Sequence, residues 1–207
     1  MLRAGALHAI GRPFIPNFAD PLGLMSHCHR KIEGYLAGLA FAGEILRRGR
    51  SEELAEAFRL ISDAREHFAV RGPKHTEDEE ESLFPRMLEF GGREAEEALS
   101  ALSELESQHR LAEIVHTEFD ELAGRLRQDG SAPEKELERY SELVEVMRDI
   151  YSPHIRIEDE IIFPSAARII PAGILLTIGQ EMKARRRELL MGLRPSAAVH
   201  NPAAPRG

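Results

Sequence analysis

Two stretches of this 207-residue chain repeat one another at an offset of 79 positions, and the repeat restricts the fold more than any other feature. The first reads His75-Thr-Glu-Asp-Glu79-Glu-Glu-Ser-Leu-Phe84-Pro85 and the second His154-Ile-Arg-Ile-Glu158-Asp-Glu-Ile-Ile-Phe163-Pro164. A His, the Glu four residues on, an acidic residue, a further Glu, an aliphatic, Phe and Pro recur in register. Four residues are a little over one helical turn, so on a helix each His and its Glu project from one face. An imidazole and a carboxylate stacked in this way can grip one metal ion. A carboxylate from each of two facing helices can bridge a pair of ions in a bundle core.

The rest of the chain supplies the helices such a core needs. Residues 1–20, with Gly11, Pro13 and Pro16, read as an irregular lead-in. Asp20-Pro21 then offers an N-cap followed by proline at the first helical position. The stripe Leu22, Met25, His29, Ile32, Leu36, Leu39 and Gly43 follows at three- and four-residue steps and stops near Gly49. A second pattern runs from Ser51 to about Val70, is interrupted at Gly72-Pro73, and resumes through Phe90 to Gly91-Gly92. The third covers Glu94 to Gln128. The fourth runs from Pro133 to about Arg168, with a kink expected at Pro153. A shorter apolar helix over Ala172–Met191 comes last, before a tail rich in Pro and Ala from Pro195. The pattern predicts an all-α fold: an antiparallel up-down four-helix bundle over 21–168, a C-terminal helix at 169–193 packed on it, and a disordered tail at 194–207. Aromatics at 6%, with no Trp, agree with helix and disfavour a sandwich or barrel.

Charge and cysteine content narrow the chemistry. A net charge of −8 argues against a nucleic-acid partner, which needs a basic face. The single cysteine, Cys28, excludes an internal disulfide and a Cys-based zinc or iron–sulfur site. No segment reaches the roughly 20 apolar residues of a membrane span. The N-terminal stretch is broken by Gly5, His8, Gly11 and Pro13 and does not read as a signal peptide, so a cytoplasmic location is expected.

Histidine is the conspicuous residue. With 28 glutamates, nine histidines should give roughly one His-x-x-x-Glu spacing by chance. There are four, His29/Glu33, His75/Glu79, His109/Glu113 and His154/Glu158, one on each predicted bundle helix. His29 lies on the inward stripe of its helix, whereas His27 shares a side with Leu24, Lys31 and Gly34. On the third helix Leu102, Leu105, His109, Ala112, His116, Phe119, Ala123 and Leu126 form one inward stripe. His109 and His116 are two turns apart, about 10 Å along the axis, so they do not share one ion. His116 is either a ligand of a second ion or a hydrogen-bonded core histidine. Glu113 and Glu33 sit at stripe edges, as ligands or as surface residues. Tyr151, one turn before His154, is a ligand, a hydrogen-bond donor behind the ligands, or a core tyrosine. His8, His67 and His200 have no supporting context. The core metal set is therefore His29, His75, Glu79, His109, His154 and Glu158. Mixed N/O ligation of this size suits iron or manganese better than tetrahedral zinc. Two buried carboxylates also require compensating cations.

The motifs Cys28-His29-Arg-Lys-Ile32, His75 through Pro85, Glu106-Ser-Gln-His109 and His154 through Pro164 resemble the hemerythrin-like, or HHE cation-binding, domain over about residues 20–168. Ile178 through Arg186 is similar to the extra C-terminal helix of many bacterial members. The resemblance implies a left-handed four-helix bundle holding a non-haem di-iron centre, two iron ions bridged by two carboxylates and an oxo or hydroxo group. By motif position Glu79 and Glu158 would bridge, and His29, His75, His109 and His154 would cap. The family's oxygen carriers have two histidines four residues apart on the third helix, but here position 113 is Glu. That departure turns the expectation from simple oxygen carriage to binding, sensing or reducing O2, peroxide or nitric oxide, or to iron handling. The expected partner is a small diatomic or peroxide ligand, with no nucleic acid and no membrane. The alternative is a metal- or redox-dependent regulatory module. In that reading Lys183, Arg185, Arg186 and Arg187, beside Ile174, Leu175 and Leu176, form a docking surface; otherwise they are a helix end packed on the bundle.

Overall fold

The computed structural model describes residues 17–49, 51–98, 100, 102–129 and 133–187. Among them every regular element is helical and no strand occurs. Helix α1 spans Pro21–Arg48. The Asp20 carboxylate accepts from Gly23 N (3.0 Å), and Gly49 closes the far end at φ +64°, a left-handed conformation suited to glycine. Both ends agree with the sequence pattern.

A second helical run occupies 51–90. It consists of α2 (Ser51–Glu66), a π turn at His67–Arg71, α3 (Gly72–Glu77), a second π turn at Asp78–Leu83, and α4 (Phe84–Phe90). The break expected at Gly72-Pro73 does not occur. After α5 (Gly92–Ala98) comes α6 (Leu102–Asp129), so the third stretch is divided rather than continuous from Glu94. Helix α7 (Glu134–Ile157) continues through Pro153 and leads into a third π turn at Glu158–Ile162 and then α8 (Phe163–Ile169). Ile170 is extended, and α9 (Ala172–Arg185) follows. Residues 1–16 of the lead-in and the tail at 194–207 lie outside the described residues.

The three π turns have one cause. Each is followed by a single residue and then a proline, at Gly72-Pro73, Phe84-Pro85 and Phe163-Pro164. Proline has no N–H, and its ring crowds the carbonyl four residues back. The turn before it widens, so that Gly72, Phe84 and Phe163 N–H donate five residues back to the carbonyls of His67, Glu79 and Glu158. Two of the three widened turns carry the glutamates of the repeat.

Apolar side chains form two separate clusters. One contains Ile32, Leu39, Phe68, Phe119, Tyr140 and Met147; the other contains Met25, Leu83, Phe84, Leu105, Phe163 and Met182. In each long helical run the repeat or stripe histidine falls between a residue of one cluster and a residue of the other: Met25 and Ile32, Phe68 and Leu83, Leu105 and Ala112, Tyr151 and Ile162. The order of the clusters reverses from each run to the next. Helix α1 packs closely on α2 and α7, and α6 on α7, whereas α2 and α6 touch little. Helix α9 lies against α1 and the turn Asp78–Leu83. Its approach is close: a Cβ at Gly179 would stand 1.8 Å from the Phe18 carbonyl oxygen. No helix of the described residues is long and apolar enough to cross a membrane.

Candidate metal centre

Between the two apolar clusters lies a polar layer. His29 and Glu79 and Glu158 are each 0% exposed, and His75 and His154 are buried. The layer resolves into two overlapping groups. His29, His75, Glu79 and Glu158 offer ligand atoms within 4.8 Å of one another, and so do Glu79, His109, His154 and Glu158. The two carboxylates are common to both groups, and each group adds two imidazoles. All six residues of the sequence-derived core set are thus brought together.

The imidazoles are aimed inward by partners behind them. His29 Nδ1–H donates to Asp159 Oδ1 (2.9 Å), which also accepts from Ser26 Oγ (2.8 Å), while Arg30 Nη2 holds Asp159 Oδ2 (2.5 Å). His109 Nδ1–H donates to Glu80 Oε1 (2.7 Å), and His154 Nδ1–H to Gln108 Oε1 (3.0 Å). These oxygens only accept, so the donor on each neutral ring is Nδ1 and the Nε2 lone pair is left facing the centre. Asp159 and Glu80 occupy the same position of the repeat. Each follows its glutamate and reaches a histidine on a different helix. The recurring acid is visible in the repeat but its partner is not; Gln108 lies in the motif Glu106-Ser-Gln-His109, which carries no sign of its bond to His154.

The inward atoms meet acceptors rather than donors. His29 Nε2 is 3.0 Å from Glu158 Oε2, His75 Nε2 3.1 Å from Glu79 Oε1, and His154 Nε2 3.3 Å from Glu158 Oε2. The Nε2 atoms of His109 and His154 face one another at 3.1 Å. His29 Nε2, both nitrogens of His75 and all four oxygens of Glu79 and Glu158 are buried without a hydrogen bond of acceptable direction. Leaving so many polar atoms unmatched is costly unless a cation gathers them. The donor set therefore fits metal ions, and it contains no sulfur. Cys28 belongs to neither group, and burial pushes its thiol up to about 11.

Without a cation, protons perform the same compensation. Burial, and then the charge of Glu158, holds the Glu79 carboxyl well above its usual range. For Glu158 burial acts in the same sense but is outweighed by the closeness of His154 and His29, which move it down. Burial depresses His29, but Glu158, Glu79 and Asp159 outweigh it and leave a net upward shift. His75 is moved well below the ordinary imidazole value by burial and by His29.

Of the four undecided residues, Glu33, Glu113 and His116 are in neither group, and Glu33 is exposed. Glu113 is exposed. Tyr151 O–H is 3.3 Å from His116 Nε2, and His116 stacks on Phe68 with ring centroids 4.4 Å apart. Together they line a cleft of about 800 Å³ between the second run and α6, which reaches His75, His109 and His154 from the surface. Arg65 Nε and Asp120 Oδ1, 2.6 Å apart, link its two sides. His27 also lies outside both groups, and so does His67, which packs on Tyr35 (4.4 Å). His8 and His200 are outside the described residues.

His67 and His116 give the fold an acid limit. Burial lowers each to about 4. The unfolded chain takes up these protons near 6.5 and the folded chain only near 4. Their contribution is therefore complete above pH 6.5 and is lost as pH falls to about 4, roughly 3 kcal/mol for each at the limit. Chemical denaturation of the metal-free protein should be less pH-sensitive across that window in His67→Gln/His116→Gln than in the parent. Equal slopes would refute the assignment.

A family model described as hemerythrin HHE cation binding domain matches residues 20–166. No curated protein matches the chain.

Proposed function

The chain belongs to the hemerythrin HHE cation-binding family, and from that premise we propose that it is a non-haem di-iron protein that binds, senses or reduces O2, peroxide or nitric oxide. The observation that carries the reading is the pair of carboxylates common to two groups of buried donors. His29 and His75 would hold one ion and His109 and His154 the other, with Glu79 and Glu158 shared by both. Four imidazoles and two carboxylates exceed what tetrahedral zinc takes and suit iron, with manganese the next candidate. Bound iron would supply one-electron redox chemistry at positions open to a small ligand.

The chain's own residues account for the rest. Asp159, Glu80 and Gln108 fix the tautomer and direction of three imidazoles before any ion arrives. The two apolar clusters keep bulk water from the centre on either side. The cleft along Phe68, His116 and Tyr151 gives a small molecule a path to His75, His109 and His154. Reversal of the cluster order along successive helical runs supports an antiparallel up-down arrangement of 21–48, 51–90, 102–129 and 134–169 as a four-helix bundle.

Metal analysis after expression in iron-replete medium, with optical spectra under air and under argon, tests the reading. Two irons per chain and near-ultraviolet charge-transfer absorption that changes with O2 or peroxide are expected. No metal, or a single zinc, overturns it.

A further inference from the structure

The first repeat is gripped from outside in a way that the second is not. Asp78, one residue before Glu79, is fully buried. One of its oxygens meets Arg185 Nη1 at 3.1 Å and the other meets Arg186 Nη2, both from the end of α9. Arg185 Nη2 also donates to Ser82 Oγ (2.7 Å), and Ser82 Oγ donates to Glu181 Oε2 (2.6 Å). Arg86 Nη2 completes the set by donating to Glu181 Oε1 (2.5 Å). One turn of α9 thus holds the widened turn Asp78–Leu83 at both ends. In the second repeat the positions of Asp78 and Ser82 are taken by Ile157 and Ile161, and Ile161 is 48% exposed. Neither aliphatic side chain can make a clamp of this kind, so the two glutamates are supported unequally.

Arg185 and Arg186 are therefore spent inside the molecule rather than on a free docking surface. Removing them strands a buried carboxylate, and breaking such a pair from one side is strongly destabilising. The stranded charge would lie one residue from Glu79, in the turn that presents it. The turn can rehydrate Asp78 only by moving, and Glu79 moves with it. By linkage, whatever α9 docking lends to cation binding, cation binding returns to α9 docking.

We propose that Arg185 and Arg186 are positioning residues for the metal centre: by holding Asp78 they fix the turn that presents Glu79, so that docking of α9 and loading of the centre reinforce one another. The proposal rests on reading the six-residue cluster as a metal centre. The test uses the full chain, Mn2+ as probe, chelator competition for affinity and hydrogen exchange of residues 172–185. Arg185→Gln/Arg186→Gln is expected to bind Mn2+ about tenfold more weakly or worse, with helix content kept. Adding Asp78→Asn, which removes the stranded charge, recovers part of the affinity. Mn2+ slows exchange in α9 of the parent but not of the double variant. If the double variant does not fold, Arg186→Lys, which keeps the charge but loses the planar fork, is read by the same two measurements. Equal Mn2+ affinity in parent and variant, or exchange in parental α9 that ignores Mn2+, overturns the coupling. A parent that binds no Mn2+ overturns the metal-centre reading itself and the proposal with it.

Discussion

Glu79→Ala and Glu158→Ala are each expected to reduce the metal content from two ions per chain to one or none. Both carboxylates belong to both donor groups, so a single truncation takes an oxygen from both groups at once. Loss of a partner one shell out costs about 10- to 100-fold in metal affinity, so loss of a shared ligand should cost more. Each truncation also leaves the remaining carboxylate buried among imidazoles. Glu158→Ala strips the neighbours His29 and His154 of their 3.0 and 3.3 Å contacts, and Glu79→Ala those of His75 and His109 at 3.1 and 3.4 Å. Elemental analysis of the purified variants reads the result directly. Two ions per chain in both would refute the sharing.

Chelation should lower the melting temperature by a comparably large amount. A site filled at a thousand times its dissociation constant contributes about 4 kcal/mol. For a domain of this size each kcal/mol is worth about 2–4 °C, so one site corresponds to roughly 8–16 °C. The gap should widen with pH. In the metal-free protein Glu79 and His29 hold their protons more tightly than the unfolded chain does. For groups shifted upward the stabilising contribution is present at low pH and is lost as pH rises through the elevated value. A cation displaces those protons, so loading is favoured by the same rise in pH that removes the share of Glu79 and His29 in the metal-free fold's stability. The shares of His67 and His116 are common to both forms and cancel in the gap. Differential scanning calorimetry at pH 5 and pH 8, with and without chelator, measures both terms. A gap that narrows toward pH 8 would contradict the proton bookkeeping.

Much of this arrangement was legible in the chain. Periodicity located α1, and Asp20-Pro21 and Gly49 marked its ends, because capping is local chemistry. The duplicated His-x-x-x-Glu spacing marks His75, Glu79, His154 and Glu158, since residues four apart on a helix must share a face whatever surrounds them. The inward stripes of the first and third helices mark His29 and His109. Gly72-Pro73 misleads because glycine followed by proline reads as an interruption of the helix. A helix supported on both sides instead absorbs it by widening one turn, and only tertiary packing decides between the two outcomes. The same chemistry explains the Phe-Pro pairs closing each repeat, which sequence alone could register but not interpret. His116 and Tyr151 were placed on the right stripe. Whether they reach an ion depends on distances across helices, which a stripe does not carry; the Tyr151 hydroxyl lies 3.3 Å from His116 Nε2. The clamp from α9 was hidden because Asp78 and Arg185 are far apart in sequence and follow no shared period.

The division of the apolar interior by a polar layer has a further consequence, for cooperativity. Ordinary domains unfold as one unit because a continuous interior makes every part depend on every other. Here the two apolar clusters communicate along the helices and across a layer most of whose inward atoms lack a hydrogen bond. A pair of cations, held between them from all four helical runs, would tie the halves into one unfolding unit. Their loss leaves two half-interiors, free to open at different free energies. In such an architecture the metal ions would act as the joint that makes the protein a single thermodynamic body.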